Sequence, residues 1–392
     1  MKLKKTLLAL AITAVSSTAA LADIKIGVSL SLTGPGSGLG IPMQKQLQLF
    51  PKTIGGEKVQ LIILDDATDP GKGAANARRF VTEDKVDLIF GSCITAVAAA
   101  MTDIAAEAGT VQIAGSPVGV PPGKDKWLFR LPQSNTVMGH AVVEHMKKQG
   151  VKTVGFLGYT DAYGQQWLDA VGPMLDKAGI KLVGTERFAR TDTSVTPQAL
   201  KLTSANPDAM LVVASGSGAA MPQMGLVERG YKGKVYQTHG VANNDFLRVC
   251  GKDCEGTFLP AGPVLVSEQL PNDHPVKKSA IAYVNAYEKA HGKGSVSTFG
   301  AHAWDAGVLL QAAIPVALKK AQPGTKEFRA ALRDALEGTT NLPAAHGVFN
   351  MSAKDHLGLD QRARVMVSVR PCGSSFCTSW VRSSTKLKRP GP

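Results

Sequence analysis

The sequence is short of several things, and each shortage removes a class of function. No GxSxG and no HExxH is present, and no two histidines stand at metal spacing. His140 and His145 lie five apart, as on a helix surface, while His239, His302, His346 and His356 are scattered. Hydrolase and metal chemistry therefore have no motif to point to, and no catalytic residue, metal or cofactor is assigned. Aromatic residues make up 6% of the chain against 44% hydrophobic residues overall, with 41 glycines, which fits an aliphatic globular protein. The body also lacks a lysine/arginine cluster. The net charge of +13 falls to +5 once Lys2, Lys4, Lys5, Arg370, Arg382, Lys386, Lys388 and Arg389 at the two ends are set aside. No nucleic-acid footprint remains. There are five cysteines. Cys250 with Cys254, and Cys372 with Cys377, are near enough in sequence to pair in an oxidising compartment, which leaves Cys93 over. No third cysteine or histidine stands at zinc spacing, so small loop disulfides or free thiols are the two readings.

The N-terminus carries what an exported chain needs. Lys2, Lys4 and Lys5 precede an apolar stretch to about Leu21, and Ala20-Leu21-Ala22 forms a small-x-small pattern before Asp23. Residues 1–22 are expected to be a cleavable signal peptide. The apolar core is too short for a comfortable membrane span, and no cysteine near the cut supports a lipid anchor. No second long apolar run is evident, so the mature protein is expected to be soluble in a bacterial periplasm.

A mature chain of about 370 residues suggests two domains. Apolar runs at 24–29, 59–64, 86–90 and 111–114 alternate with helical patterns at 43–54, 73–83 and 96–108. Continuous apolar strands between helices indicate a parallel sheet covered on both faces. The pattern restarts with a helix at 136–149, strands at 153–157, 181–185, 209–213 and 234–237, and helices at 165–177, 196–204 and 219–229. Three further helices, at 274–291, 298–319 and 325–336, have no sheet of their own and are expected to complete the first lobe, before a last strand near 363–369. The expectation is therefore an α/β chain of two doubly wound parallel-sheet lobes. Lobe 1 takes 23–133 and 263–342, and lobe 2 takes 134–262 and 343–369. The chain crosses between them near 131–135, 259–264 and 338–347, a three-segment hinge. Residues 370–392 are Ser-, Lys- and Arg-rich without periodicity and read as a disordered tail or the product of a shifted reading frame.

Three segments could line a site. The loop 31–40, SLTGPGSGLG, has glycines at alternate positions rather than GxGxxG, with Pro35 stiffening the turn, so it reads as a cleft edge and not a dinucleotide cradle. GSCITA at 91–96 hands a strand to a helix, where Ser92 or Thr95 suits a cap or a ligand carboxylate at unpaired N–H groups. AGSP at 114–117 ends the next strand at the same sheet edge. Open sheets bind ligands at the carboxyl ends of their strands, and two such segments side by side raise the case for a site.

DIKIGVSLSLTGPGSGLG, ILDDATDPGKGAANARRFVTEDKVDLIFGSCITA, GYTDAYGQQW and THGVAN, in that order and spacing, resemble the branched-chain amino-acid-binding (Leu/Ile/Val-binding) family of type I periplasmic binding proteins, over nearly all of 24–369. The resemblance implies a two-lobed Venus-flytrap, no enzyme activity, and a monomer that delivers a small carboxylate ligand to the membrane permease of an ABC importer. A sensor of the same fold, feeding a receptor or regulator, is the alternative, and a secreted enzyme is a more distant one. Carried over residue by residue, carboxylate binding falls on Cys93 (backbone), Thr95 (hydroxyl and N–H), Ser116 (backbone) and Val118. Tyr163 matches an aromatic of the second lobe facing the cleft. Leu39 and Ser215 stand where members often carry aromatics, and His239 stands where they carry the acid that pairs with the ligand's ammonium group. These departures point to a bulkier carboxylate without an α-amino group, such as an aromatic acid, unless Asp161 or Asp245 takes over the amine.

Overall fold

The computed structural model describes residues 23–371 and 378–382. The expected signal peptide and the Cys372/Cys377 pairing lie outside the described residues.

The chain folds in the order β1 (Ile24–Leu30), α1 (Ser37–Leu47), β2 (Thr53–Ile54), β3 (Glu57–Asp65), α2 (Pro70–Arg79), β4 (Leu88–Gly91), α3 (Thr95–Glu107), β5 (Val111–Ala114) and β6 (Leu128–Arg130). A second series runs α4 (Asn135–Lys148), β7 (Thr153–Tyr159), α5 (Ala162–Ala178), β8 (Lys181–Phe188), α6 (Thr196–Ser204), β9 (Ala209–Val213), α7 (Ala220–Glu228), β10 (Lys234–Gln237), α8 (Asn244–Cys250) and β11 (Phe258–Ala261). The return comprises α9 (Lys277–His291), α10 (Thr298–Leu318), α11 (Lys326–Glu337), β12 (Leu342–Pro343), β13 (Val348–Phe349), β14 (Val365–Pro371) and β15 (Thr378–Arg382).

Two sheets result, in the orders β2-β3-β1-β4-β5-β6 and β15-β14-β11-β10-β9-β7-β8. Within each, five strands are parallel, and the extra strands at one end join antiparallel. The parallel parts have the same winding. The chain places its second long strand on one side of the first and all later ones on the other, so each sheet has a switch point beside β1 or β7. Central strands such as β1 and β9 are almost wholly buried because helices cover both faces, which is why they read as unbroken apolar runs.

Two separate cores hold the lobes. One gathers Ile26, Val28, Phe80 and Phe90 with Leu309 and Leu310 of α10 and Leu332 of α11. The other gathers Phe156, Trp167, Leu211, Tyr236 and Phe246. Of the late helices, α10 and α11 thus pack in the first core, while Ala280, Tyr283 and Tyr287 of α9 form a smaller cluster with Ala301. Helix α10 is apolar and long enough to span a bilayer by length and composition, but much of it is buried in the first core. Ala344, Phe349, Met351, Leu359 and Ala363 also pack in the first core, and Val348, Val367 and Val369 pack in or against the second, so the segment 344–369 serves both cores.

Several expected elements move. The first helix begins at Ser37 rather than 43, because the glycines read as loop are needed for contact. A Cβ at Gly40 would sit 2.1 Å from the carbonyl oxygen of Ser31. Gly164 in α5 has the same role, with 1.9 Å to the Tyr159 carbonyl oxygen. Residues 258–261, expected to lie largely in a crossing segment, form β11 inside the second sheet. The tail expected to be disordered from 370 contributes β15, which pairs antiparallel with β14. Cys250 and Cys254 are thiols and not a disulfide; Cys254 Sγ–H donates to the Gly251 carbonyl at 3.0 Å.

Candidate ligand-binding site

The carboxyl ends of the parallel strands converge on a small cavity lined by both sheets. Cys93, Ile94 and Thr95 follow β4, Gly115 and Pro117 follow β5, and Pro132 follows β6. From the other sheet Tyr163 follows β7, Arg190 follows β8, Ser215 follows β9, and His239 and Gly240 follow β10. Leu39 comes from the first turn of α1, and Phe299 and His302 from the first two turns of α10.

In the first-lobe wall the strand ends are tied together by a buried carboxylate. Asp66 is fully buried and accepts hydrogen bonds from the hydroxyls of Ser29 at 3.2 Å and Ser92 at 2.7 Å and from Thr68 N at 3.1 Å, which ties the ends of β1, β3 and β4 together. On this base α3 starts at Thr95 with no side-chain cap. The first N–H groups of a helix have no partner within it, and its N-terminus is the positive end of its dipole. Burial, and then the charge of Asp66, pushes the Cys93 thiol up to about 12, which keeps it a thiol rather than a thiolate.

The second-lobe wall is built from side chains. Arg190 Nε donates to Asp161 Oδ2 at 2.6 Å, Nη1 donates to Ser215 Oγ at 2.8 Å, and the guanidinium lies 4.0 Å from the centre of the Tyr159 ring. Asp161 Oδ1 caps α5, accepting from Tyr163 N at 3.0 Å and Gly164 N at 3.3 Å. Tyr163 spends its hydroxyl on Thr238 Oγ1 at 2.8 Å and turns its ring to the cavity. His239 is held neutral, with burial and then His346 pushing it down to about 3. Burial likewise holds His302 well below the usual histidine range. His302 stacks on His346 with centroids 4.0 Å apart, and His346 is held by Asp305 Oδ2 at 2.8 Å and Thr298 Oγ1 at 2.8 Å.

Six residues marked in the sequence, Leu39, Cys93, Thr95, Tyr163, Ser215 and His239, meet at this cavity. Ser116 and Val118 are buried beside it, between and after the lining residues Gly115 and Pro117. Val118 packs instead with Ala98, Ala114 and Leu128. Neither acid considered as an amine partner lines the cavity. Asp161 is occupied as described, and Asp245 is a half-exposed partner of Arg248 at 3.3 Å. Arg190, Phe299 and His302 were not picked out from the sequence. Arg190 had a signal, as a basic residue just past the carboxyl end of a strand. His302 had one too, since with Asp305 it interrupts an otherwise apolar helix.

The lobes touch across the cleft. The Gln166 side-chain amide of α5 accepts from Gly119 N at 3.1 Å and donates to Gly119 O at 3.3 Å. A Cβ on Gly216 would lie 2.9 Å from Leu39 Cδ1.

Residues 23–370 match the family model described as periplasmic binding protein. The chain belongs to the periplasmic binding protein family. Within it, the similarity runs to the Leu/Ile/Val-binding proteins. A Leu/Ile/Val-binding protein homolog 3 from Brucella melitensis is 26% identical over 213 residues, 53% of this chain and 56% of the relative. The chain thus spans about half the length of the curated relatives it matches. An extracellular ligand-binding receptor from Rhodopseudomonas palustris is 45% identical, with a TM-score of 0.87 over 91% of this chain and 99% of the other. A solute binding protein of an ABC transporter from R. palustris, solved with benzoate, shares the fold at 19% identity, with a TM-score of 0.74 over 93% and 98% of the two chains.

Proposed function

We propose that this periplasmic binding protein captures a small carboxylate without an α-ammonium group, an aromatic acid, and presents it to the membrane permease of an ABC importer. The observation that carries this is the charge of the cavity wall. Among the described residues it holds one guanidinium and two neutral imidazoles, and no carboxylate. An ammonium group shut into such a cavity would be desolvated beside Arg190 with no negative partner. A carboxylate meets the open N-terminus of α3, the Thr95 hydroxyl and the guanidinium. Leu39, Ile94, Pro117, Pro132, Tyr163 and Phe299 offer the apolar surface that suits a ring. The fold does not choose between ligands, since relatives of this shape are named for leucine-type amino acids and for benzoate.

The ligand acts by being held from both sides. Only the closed lobes bring Thr95 and Arg190 to one molecule, so binding shifts the population toward closure by that difference in contacts. In this reading residues 1–22 direct export to the periplasm, the lobes divide near 133 and 263, and the monomer binds its solute without transforming it. The test is titration calorimetry of the mature protein with benzoate and with leucine. Binding of benzoate without leucine supports the reading, and binding of leucine with no heat from benzoate overturns it.

A further inference from the structure

Two imidazoles of the cavity wall are left unexplained by a plain aromatic carboxylate. His239 comes from the turn after β10 and His302 from α10, and they are 6% and 2% exposed. The Nδ1 atom of each is buried with no hydrogen-bond partner. The neighbouring group that might have satisfied them is already engaged. His346 stacks on His302 face to face, and its two nitrogens are taken by Asp305 and Thr298. Tyr163 and Trp167 approach His239 through their rings, at 6.3 and 5.8 Å between centroids. Both residues line the cavity, and buried polar atoms in native proteins are nearly always paired, so two imidazoles there with an unpaired nitrogen each suit a polar group on the ligand.

We infer that the ligand carries, besides its carboxylate, a second uncharged polar group, a ring hydroxyl, which hydrogen-bonds to the imidazoles of His239 and His302. This rests on the aromatic-carboxylate reading above and narrows it. Each neutral imidazole offers one donor and one acceptor, and a hydroxyl supplies one of each. A second carboxylate would need a second cation, and the wall has one guanidinium, already half-matched by Asp161. A methyl group in the same place would keep the imidazole nitrogens unpaired and dry, which is the costly arrangement.

The experiment is calorimetry with pairs of ligands that differ in one group: 3- and 4-hydroxybenzoate against 3- and 4-methylbenzoate, and the same substituents on 3-phenylpropanoate. The full-length mature protein should bind at least one hydroxy acid roughly tenfold or more tighter than its methyl counterpart. In His239→Phe and His302→Phe that ratio should fall toward one, whatever happens to overall affinity. Equal binding of hydroxy and methyl acids to the unaltered protein overturns this inference and leaves the carboxylate reading standing. Binding of leucine with none of the acids overturns both. A preference for hydroxyl that survives both substitutions places the reader elsewhere and also overturns it. The comparison in the unaltered protein needs no variant, so the idea stays falsifiable if a phenylalanine variant fails to fold.

Discussion

The two walls of the cleft come from sheets wound in the same order, yet they present positive charge to it by different means. Each sheet delivers its first helix by the same close approach, Gly40 against the Ser31 carbonyl and Gly164 against the Tyr159 carbonyl. The difference lies in the helix ends. In the first lobe α3 starts without a side-chain cap, on a base tied down by Asp66, so its N–H groups are left for another partner. In the second lobe Asp161 caps α5 and spends its other oxygen on Arg190. An open helix end and a braced guanidinium are two ways to present a positive surface, and they differ in what disturbs them. The first is backbone and resists substitution. The second depends on three side chains.

That contrast can be broken most sharply at Arg190. Arg190→Met should weaken binding of an aromatic carboxylate by about 10- to 100-fold, the worth of a charge-assisted hydrogen bond, measured by calorimetry. Unchanged affinity would mean that the first-lobe helix end does the work alone. A second effect comes from pH. His239 has a folded pKa pushed down to about 3 from 6.5, so below pH 6.5 the unfolded chain takes up a proton that the folded chain refuses. Stability present above pH 6.5 should therefore be lost as the pH falls toward 3, with a slope of up to about 1.4 kcal/mol per pH unit for each such histidine. Denaturant midpoints of the ligand-free protein at pH 7, 6 and 5 check this, and His239→Gln should flatten the slope. The smallest effect belongs to the contact joining the walls. Gln166→Ala removes two hydrogen bonds to Gly119 and should loosen ligand binding by a factor of about 2 to 10 while leaving the melting temperature within a few degrees. A large drop in stability instead would show that the pair holds the lobes together and does more than bias closure.

Much of this was open to reading from the chain. Strands buried on both faces announce themselves as apolar runs, so the two parallel sheets and most of their helices stood at the expected places. The strand β11 was hidden because Pro260 and the flanking Gly256 and Gly262 look like a connection. The start of α1 was hidden because Gly36, Gly38 and Gly40 look like a loop, although one of them is there for a contact that cannot be seen in one dimension. The strand ends that face the cleft were legible as short turns between a β pattern and a helical one, and the resemblance marked which of their residues to watch.

The sequence by itself determined the two lobes, their winding and the edge of each sheet at which a ligand belongs, because local periodicity and turn residues encode those directly. The tertiary structure decided the chemistry of the cavity. Arg190 is a cleft residue because Asp161, Ser215 and Tyr159 hold it there. His302 is one because α10 crosses back to the first lobe long after the strands it covers. The acids that might have received an amine are spent elsewhere by contacts between residues far apart in the chain. Charge complementarity depends on which groups are left unpaired in three dimensions, and that is a sum over the whole fold.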